Sequence, residues 1–124
     1  MGRRVPEHFQ TIKRSWEFYK TASGRSPVKD YLDTLSKTDK AAVGAKMRLV
    51  QTGASNGKHL RDAIFEVKVA LGNKQYRVLY ATVGERGATL LALEAFTKKT
   101  QKTPPATITL AETRLRDWLS RANP

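Results

Sequence analysis

The sequence contains no cysteine and only two histidines, His8 and His59, among its 124 residues. Without cysteine, the chain has no disulfide, zinc–thiolate site or thiol nucleophile, and this composition is typical of cytoplasmic proteins. No helical or strand spacing links the two histidines, so neither a metal site nor a cofactor is predicted. The P-loop, dinucleotide-binding, serine-hydrolase and zinc-protease motifs are also absent.

Long apolar runs are missing as well. No run approaches the roughly 20 residues that a membrane-spanning helix needs. The first residues, MGRRVPEHFQTIKR, are basic and lack the apolar core of a signal peptide. We therefore expect a cytoplasmic protein that does not contact membranes. Its length suits one domain, predicted at residues 15–121, with an N-terminal arm at 1–14 and a short tail at 122–124.

Acidic residues are scarce, with 11 acidic against 23 basic residues and a net charge of +12. A small domain with this charge indicates a polyanionic partner, either a nucleic acid or an acidic protein. The alternative is a basic surface that only confers solubility. Hydrophobic residues make up 40% of the chain, which is enough for one core.

The first half of the chain predicts a strand followed by two helices. Residues 15–21, SWEFYKT, are rich in aromatics and alternate like a strand. Ser26, followed by proline, begins one helix. Ser36 begins the next, with Asp39 three residues later as in a capping box, and Gly53 ends it. Apolar side chains recur at helical spacing in both helices: Val28, Tyr31, Leu32, Leu35, Val43, Met47 and Val50.

The second half predicts three consecutive antiparallel strands and a closing helix. The strands lie at residues 65–69, 76–80 and 88–96. A Gly72-Asn73 turn joins the first two, and Thr103-Pro104 begins the final helix. The predicted fold class is therefore α+β: a small antiparallel sheet in the order β-α-α-β-β-β-α, with the helices packed on one face.

A two-residue turn at Gly72-Asn73 fixes the register of the hairpin and places Lys68 directly opposite Arg77. Like charges that face each other across a sheet are destabilising unless a carboxylate or a bound anion lies between them. Glu66 lies on the same face, and Glu94 of the last strand is expected beside Arg77. One interpretation is a solvated network of lysine, arginine and glutamate, which is common on antiparallel sheets.

The other interpretation is an RNA-cleaving site. The planar fork of Arg77 suits two phosphate oxygens. Neighbouring cations lower the pKa of a lysine, which would make Lys68 a proton carrier. Further cations predicted to contact the phosphate or the RNA are Lys74, Lys98, Lys99 and Lys102. The 2′-OH of RNA can attack its own phosphodiester, so the protein needs only to position the phosphate, stabilise charge and move protons.

This site makes a geometric prediction. Lys68 and Arg77 should point out of the same sheet face, near the loop at residues 98–102 and away from the helices. His59 is an auxiliary candidate for an acid or base, with a surface loop histidine as the alternative. Tyr76 and Tyr80 fit the core-facing side of their strand better than a base-stacking role.

At the level of longer segments, the sequence resembles a known family. The segments IFEVKV, QYRVLYA and LLALEAFTKKTQKTPPATITLAETR are similar to HigB toxins of the phage-derived Gp49-like group, within the RelE/ParE toxin superfamily. The resemblance covers roughly residues 16–118. Its most specific part is AFTKKTQKTP followed by a helix.

The resemblance implies a RelE-like fold and the toxin of a type II toxin–antitoxin system. It also implies ribosome-dependent cleavage of mRNA and neutralisation by a helix-turn-helix, HigA-like antitoxin. The family's basic strand residue corresponds to Lys68, its YR arginine to Arg77, and its basic residues after the last strand to Lys98, Lys99 and Lys102. Some RelE-like enzymes have a tyrosine near the C-terminal end as proton carrier, whereas no tyrosine follows Tyr80 here. Other HigB toxins use a histidine and an acidic residue near the end of the last strand, and this segment has no histidine. The resemblance therefore does not assign the acid and the base.

Two alternatives remain open from the sequence. A ParE-like protein would share the fold but poison gyrase. A non-enzymatic module would bind RNA or a protein partner through the same basic surface. The arginine and the basic loop favour RNA chemistry.

Overall fold

The computed structural model describes residues 13–98 and 102–122. The described chain is α+β, with one five-stranded sheet and three α-helices. The elements in chain order are β1 (Ser15–Phe18), α1 (Pro27–Asp33), α2 (Lys37–Thr52), β2 (Lys58–Arg61), β3 (Ile64–Leu71), β4 (Lys74–Val83), β5 (Thr89–Lys98) and α3 (Pro105–Ala122). A 3₁₀ turn at Glu85–Gly87 connects β4 to β5. Most of the predicted arm at 1–14 lies outside the described residues, as do residues 123 and 124 of the predicted tail.

The sheet is mixed, with the strand order β1-β5-β4-β3-β2. The strands from β2 to β5 are antiparallel, whereas β1 runs parallel to β5 and pairs Ser15 with Thr89. The prediction of a purely antiparallel sheet is therefore wrong for β1. No turn links β1 to its partner, because two helices and three strands lie between them, so local turn chemistry could not give its direction.

The strand β2 is an element that the sequence pattern did not reveal. Its residues, KHLR, are mostly polar and were expected to form a loop. They pair antiparallel with β3, with an irregularity between His59 and Arg61. A short edge strand needs little apolar character, because only one neighbour and one face pack against it.

Helices cover both faces of the sheet, so the prediction that they pack on one face is wrong. Helices α1 and α2 cover the face that we call the α1/α2 face. Its core contains Val28, Leu32, Val43, Met47, Val50, Val67, Val69, Tyr76, Val78, Tyr80, Leu90, Ala92 and Ala95. Helix α3 covers part of the other, the α3 face, whose core contains Tyr19, Ile64, Leu79, Ala81, Val83, Leu91, Leu93, Ile108 and Ala111.

This double coverage follows from the two central strands. In β4 every side chain from Tyr76 to Ala81 is buried, and β5 is buried continuously from Leu90 to Leu93. A strand whose side chains are apolar on both faces needs other elements to cover both faces. Among the described helices, none is long and apolar enough to cross a membrane.

The predicted helix boundaries are confirmed for the helix pair. Pro27 is the first residue of α1, directly after Ser26. The Ser36 hydroxyl accepts a hydrogen bond from the Asp39 backbone N–H at 3.1 Å, which caps α2. Gly53 follows α2 with φ of 85°, a left-handed conformation that ends helices.

The predicted hairpin register is also confirmed. Gly72 has φ of +60°, Leu71 faces Lys74, and Lys68 faces Arg77 across β3 and β4. Along β5, Leu79 faces Glu94 while Tyr80 faces Ala92, so Leu93 is an extra residue in a bulge.

The closing helix begins at Pro105, one residue later than predicted. Asp117 and Arg121, four residues apart in this helix, form an ion pair at 2.7 Å. Glu112 contacts Arg61 of β2 at 2.6 Å, a partner that spacing along the helix could not reveal. These contacts fix α3 against one end of the sheet and leave the other end of the α3 face to polar residues.

Candidate nucleic-acid interface

The polar end of the α3 face collects most of the predicted site. The register places Lys68, Arg77 and Phe96 side by side across three strands. The same register pairs Gln75 with Lys98 one step further along. Because directly paired residues project from the same face of a sheet, Lys68, Arg77 and Lys98 share the α3 face, as the sequence predicted for the first two.

Arg77 does not form an exposed phosphate clamp, and that part of the prediction is wrong. Its side chain is 3% exposed. Its Nη1 donates to Glu66 Oε1 at 2.9 Å and its Nη2 donates to Gln75 Oε1 at 2.6 Å. The face is also not clear of helices, because α3 packs on its other end. Pairing with Glu66 explains how two cations tolerate positions across the sheet from each other.

Glu66 connects Arg77 to the last strand. Its side chain is 2% exposed, and its Oε2 accepts a hydrogen bond from the Thr103 hydroxyl. The same hydroxyl oxygen lies 3.4 Å from Lys98 Nζ, which donates to it. A continuous chain of polar contacts therefore runs from Arg77 through Glu66 and Thr103 to Lys98.

The pKa of Lys98 is lowered from its ordinary value. Burial is the main cause, since the side chain is 5% exposed, and the positive charge of Arg77 is the next. Lys58 and Lys68 lower this pKa further, whereas the Glu66 carboxylate raises it. The proton-carrier role that the sequence suggested for Lys68 thus has a second candidate in Lys98.

We call Lys58, Lys68, Arg77 and Lys98, with Glu66 between them, the cation cluster. Among the charges that shift the pKa of Lys98 most, one carboxylate, that of Glu66, stands against three cations. Lys58 and Lys68 are exposed, as is Lys102 just before Thr103. The excess of positive charge favours an anion at this place.

A shallow cavity of about 200 Å³ opens beside the cation cluster. Its lining residues are Lys68, Val69, Ala70, Gln75 and Arg77. The exposed lysine borders the cavity, and the buried guanidinium forms part of its wall. Arg77 Nε is buried and has no hydrogen-bond partner among the described residues, so the guanidinium keeps one unused donor.

Three residues of this arrangement were not found from the sequence: Lys58, Gln75 and Thr103. Lys58 faces Glu66 across β2 and β3, a relation that became visible only once β2 was known. Gln75 precedes Arg77 by two residues and therefore shares its face. That spacing was available in the sequence and could have identified it.

Three predicted residues lie elsewhere. His59 pairs with Phe65 on the α1/α2 face, where its ring packs 5.1 Å from the Phe65 ring and its Nε2 donates to the Asp62 carbonyl at 2.7 Å. Lys74 contacts Asp39 of α2 at 3.4 Å. Glu94 binds Arg114 of α3 at 3.2 Å.

The remaining predicted cation, Lys99, lies outside the described residues. Within residues 13–98 and 102–122, no group of three or more histidine, cysteine, aspartate or glutamate side chains is arranged to hold a metal ion.

The two tyrosines of β4 are core residues, as predicted. Tyr76 and Tyr80 are both buried on the α1/α2 face. The Tyr76 hydroxyl donates to the Asp39 carboxylate, and this hydrogen bond, assisted by burial, raises the pKa of Tyr76 to about 12. Burial also raises the pKa of Tyr80.

Comparison with known proteins agrees with the arrangement of these segments. The family described as "Phage derived protein Gp49-like" matches residues 30–116. Proteins named "Probable endoribonuclease HigB1" from two strains of Mycobacterium tuberculosis, CDC 1551 / Oshkosh and ATCC 25618 / H37Rv, are 32% identical to this chain over 108 residues. The match covers 84% of this chain and 84% of each relative.

The family match spans more than half of the chain and includes every strand from β2 to β5. The chain therefore belongs to the Gp49-like family of phage-derived proteins. The resemblance to HigB toxins that the sequence predicted is confirmed.

Proposed function

We propose that this chain is the toxin of a type II toxin–antitoxin system and that it cleaves mRNA on the ribosome without a metal ion. The observation that carries the proposal is the cation cluster, in which lysines and an arginine surround one buried carboxylate beside an open cavity. The similarity to relatives named as endoribonucleases supports the activity. A RelE-like architecture is compatible with the mixed five-stranded sheet.

In the proposed reaction the 2′-oxygen of one ribose attacks the adjacent phosphorus. A bond from the 2′-oxygen to phosphorus forms, the bond from phosphorus to the 5′-oxygen breaks, and a 2′,3′-cyclic phosphate and a 5′-hydroxyl result. The 2′-OH loses a proton and the leaving 5′-oxygen gains one, so no net proton or electron is consumed. The protein has to neutralise the phosphorane and supply the proton.

The exposed lysines suit phosphate binding. Lys68 and Lys102 are exposed beside the cavity and the Thr103 hydroxyl, respectively. Ammonium groups at these positions would neutralise the nonbridging oxygens of the phosphate. Lys99 stays a predicted contributor on the basis of the sequence alone.

Lys98 suits the general acid. A lysine with an ordinary pKa gives up its proton reluctantly, and a lowered pKa brings it closer to the operating pH. Arg77, Glu66 and Thr103 then act as positioning residues, since their contacts run in sequence toward Lys98. The predicted role of Arg77 as a direct clamp is replaced by this one.

The test is mRNA cleavage by variants that separate charge from proton transfer. Lys98→Arg keeps a charge but cannot release a proton, so kcat should fall by about 10²–10⁴-fold with little change in KM. The wild-type rate should fall at alkaline pH as Lys98 loses its proton, and Lys98→Arg should lack that decline. Equal kcat in both proteins would exclude Lys98 as the acid.

Lys68→Met should instead raise KM, because it removes a phosphate contact. The matched control is Lys37→Met, which removes an exposed lysine at the start of α2, across the sheet from the cation cluster. That control should cleave like the wild type. If it loses activity as much as Lys68→Met, net charge and not the cation cluster determines the rate.

Primer extension on cellular mRNA after induced expression separates this proposal from its rivals. Cuts that require translation and vanish in Lys98→Arg support the endoribonuclease. DNA-damage signalling without cuts would indicate a ParE-like gyrase poison. Neither effect would indicate a non-enzymatic binding module. A cytoplasmic location of this chain and a helix-turn-helix, HigA-like antitoxin are part of the proposal, and the antitoxin gene is expected beside this one.

A further inference from the structure

Strand β1 forms one edge of the sheet, and no described strand lies beyond it. The Ser15 and Tyr19 N–H groups donate inward to Ala88 and Ala92 carbonyls of the last-strand region at 3.0 and 2.9 Å. Because backbone direction alternates along a strand, the N–H and C=O groups of Trp16 point away from the sheet, as do those of Phe18. An unpaired edge of this kind can accept another strand.

On the α1/α2 side, this edge borders a mainly apolar cavity of about 260 Å³. Trp16 and Phe18 of β1 form one wall, and Leu32 and Met47 from the two helices form the other. The mouth of the cavity carries two basic side chains, Lys40 and Arg48. The cavity therefore suits an apolar side chain on a segment that also carries negative charge.

On the other side, the same edge borders a larger and more polar cavity of about 520 Å³. Lining residues include Glu17, Lys20, Ser26, Trp118 and Arg121. Ser26 is 8% exposed, and its Oγ has no hydrogen-bond partner among the described residues. A buried hydroxyl without a partner is uncommon and indicates that a polar group belongs next to it.

The charges around both cavities favour an acidic occupant. In the described part of the chain, Lys20 and Arg48 have neither an ion-pair nor a hydrogen-bond partner for their charged groups. Three other cations at the cavities are already paired within the chain: Lys29 and Lys40 with Asp33, and Arg121 with Asp117. The Glu17 carboxylate, which has no ion-pair partner in the described part of the chain, offsets one of these charges. Five cations against the three carboxylates of Glu17, Asp33 and Asp117 still leave a net positive charge around β1.

We propose that β1 accepts an additional strand from an acidic peptide segment of a partner protein. Such a strand would pair with the outward backbone groups of Trp16 and Phe18. Its alternate side chains would enter the two cavities, the apolar ones beside Met47 and the acidic ones beside Lys20. Two strands lie between β1 and Lys68 of β3, so this surface is separate from the cation cluster and does not depend on RNA cleavage.

The chain carries its own reporters for this site. It has two tryptophans, Trp16 in the apolar cavity and Trp118 in the polar one. The probe is an eight-residue blocked peptide of alternating leucine and glutamate, added to the full chain. In Trp118→Phe and Trp16→Phe proteins, each checked for an intact thermal transition, the remaining emission should change with the same Kd. A response from one tryptophan alone would overturn the proposal.

Backbone methylation separates strand addition from simple attraction between charges. Methyl groups on one set of alternate peptide nitrogens block pairing with β1, whereas methyl groups on the other set face outward. The peptide whose methyl groups block pairing with β1 should bind at least about tenfold more weakly than the parent peptide. The peptide whose methyl groups face outward should bind nearly as well as the parent peptide. Equal affinities of the two peptides, or no binding of the parent peptide, would overturn the proposal.

Charge variants complete the test. Lys20→Glu and Arg48→Glu should each weaken binding, and added salt should do the same. The matched control Lys37→Glu should bind like the wild type. A leucine–glutamate peptide of equal composition but scrambled order should bind weakly. If an RNA oligonucleotide displaces the parent peptide at the same concentrations at which it binds the cation cluster, the peptide binds at the cation cluster and the proposal is overturned.

Discussion

The two faces of the sheet are stabilised by different interactions, although the same strands form both. On the α1/α2 face, the side chains of β4 are apolar or aromatic and the helices exclude water from them. On the α3 face, the same strand carries Arg77, which is buried against a carboxylate. One face is held by packing, and one end of the other face is held by charge. The site that we propose lies where α3 leaves the sheet uncovered.

The largest expected effect comes from Glu66→Gln. This substitution leaves Arg77 buried without a counter-charge, which should lower the free energy of unfolding by about 3–5 kcal/mol. Urea denaturation would measure it. In the double variant Glu66→Leu with Arg77→Met, packing replaces the ion pair, so most of that loss should be recovered. A single variant as stable as the wild type would show that the pair is not buried in solution.

The stability of the α1/α2 face should depend on the size and shape of its side chains. A Cβ added at Gly57 would lie 1.9 Å from the Tyr80 hydroxyl oxygen, and Tyr80 is buried. Gly57→Ala should therefore cost about 1–3 kcal/mol through overpacking. Tyr80→Phe combined with Gly57→Ala should restore part of it. The loss should not depend on salt, and a strong salt dependence would contradict a steric origin.

A smaller effect, with a pH signature, is expected from Tyr76→Phe at the rim of the packed face. The folded-state pKa of Tyr76 is about 12, against 10.0 for the free side chain. The stabilisation by its bond to Asp39 is therefore complete below pH 10 and is lost as pH rises toward about 12. The hydrogen bond from Tyr76 also lowers the pKa of Asp39, so the same stabilisation is lost at low pH, where the Asp39 carboxylate becomes protonated.

Melting curves of wild type and Tyr76→Phe should consequently differ by a constant amount between about pH 5 and 9. The difference should shrink at both extremes. A difference that stays constant across the whole range would show that the lost interaction is packing and not the hydrogen bond to Asp39.

The smallest expected change in stability is a gain. Lys98 is buried among cations and has a lowered folded-state pKa, so its charged form opposes folding. Lys98→Met should raise the melting temperature by about a few degrees at most while abolishing cleavage. Because the folded protein binds fewer protons near this pKa, wild-type stability rises with pH toward 10.5, and the gain should disappear there. A destabilised Lys98→Met protein would contradict this account.

Local patterns predicted the elements whose formation depends on nearby residues. The cap at Ser36 and the stop at Gly53 each depend on a few neighbouring residues. The register that sets Lys68 against Arg77 depends on the single hairpin turn between them. The direction of β1, the strand β2 and the second helical face depend on partners distant in sequence, and each was missed or wrong. Single-strand alternation cannot show which neighbour covers the second face.

The site divides in the same way. The register placed Lys68, Arg77 and Glu66 together correctly, because one turn determines it. The exposure of Arg77 could not be predicted, since Arg77 is buried against Glu66, which in turn accepts a hydrogen bond from the distant Thr103. For His59 the sequence left an auxiliary role and a surface loop open; the side chain is exposed, but it lies on the edge strand β2 opposite Phe65, and this strand was not recognised.

The parallel pairing of β1 with β5 has a consequence for synthesis. The hairpins from β3 to β5 can form as soon as their residues are made, because their contacts are local. β1 is synthesised early but cannot pair until β5 has been synthesised. The 2.6 Å hydrogen bond from Tyr19 to Asp117 forms later still, because Asp117 lies 98 residues further along the chain. We therefore expect the growing chain to remain incompletely folded until α3 has left the ribosome.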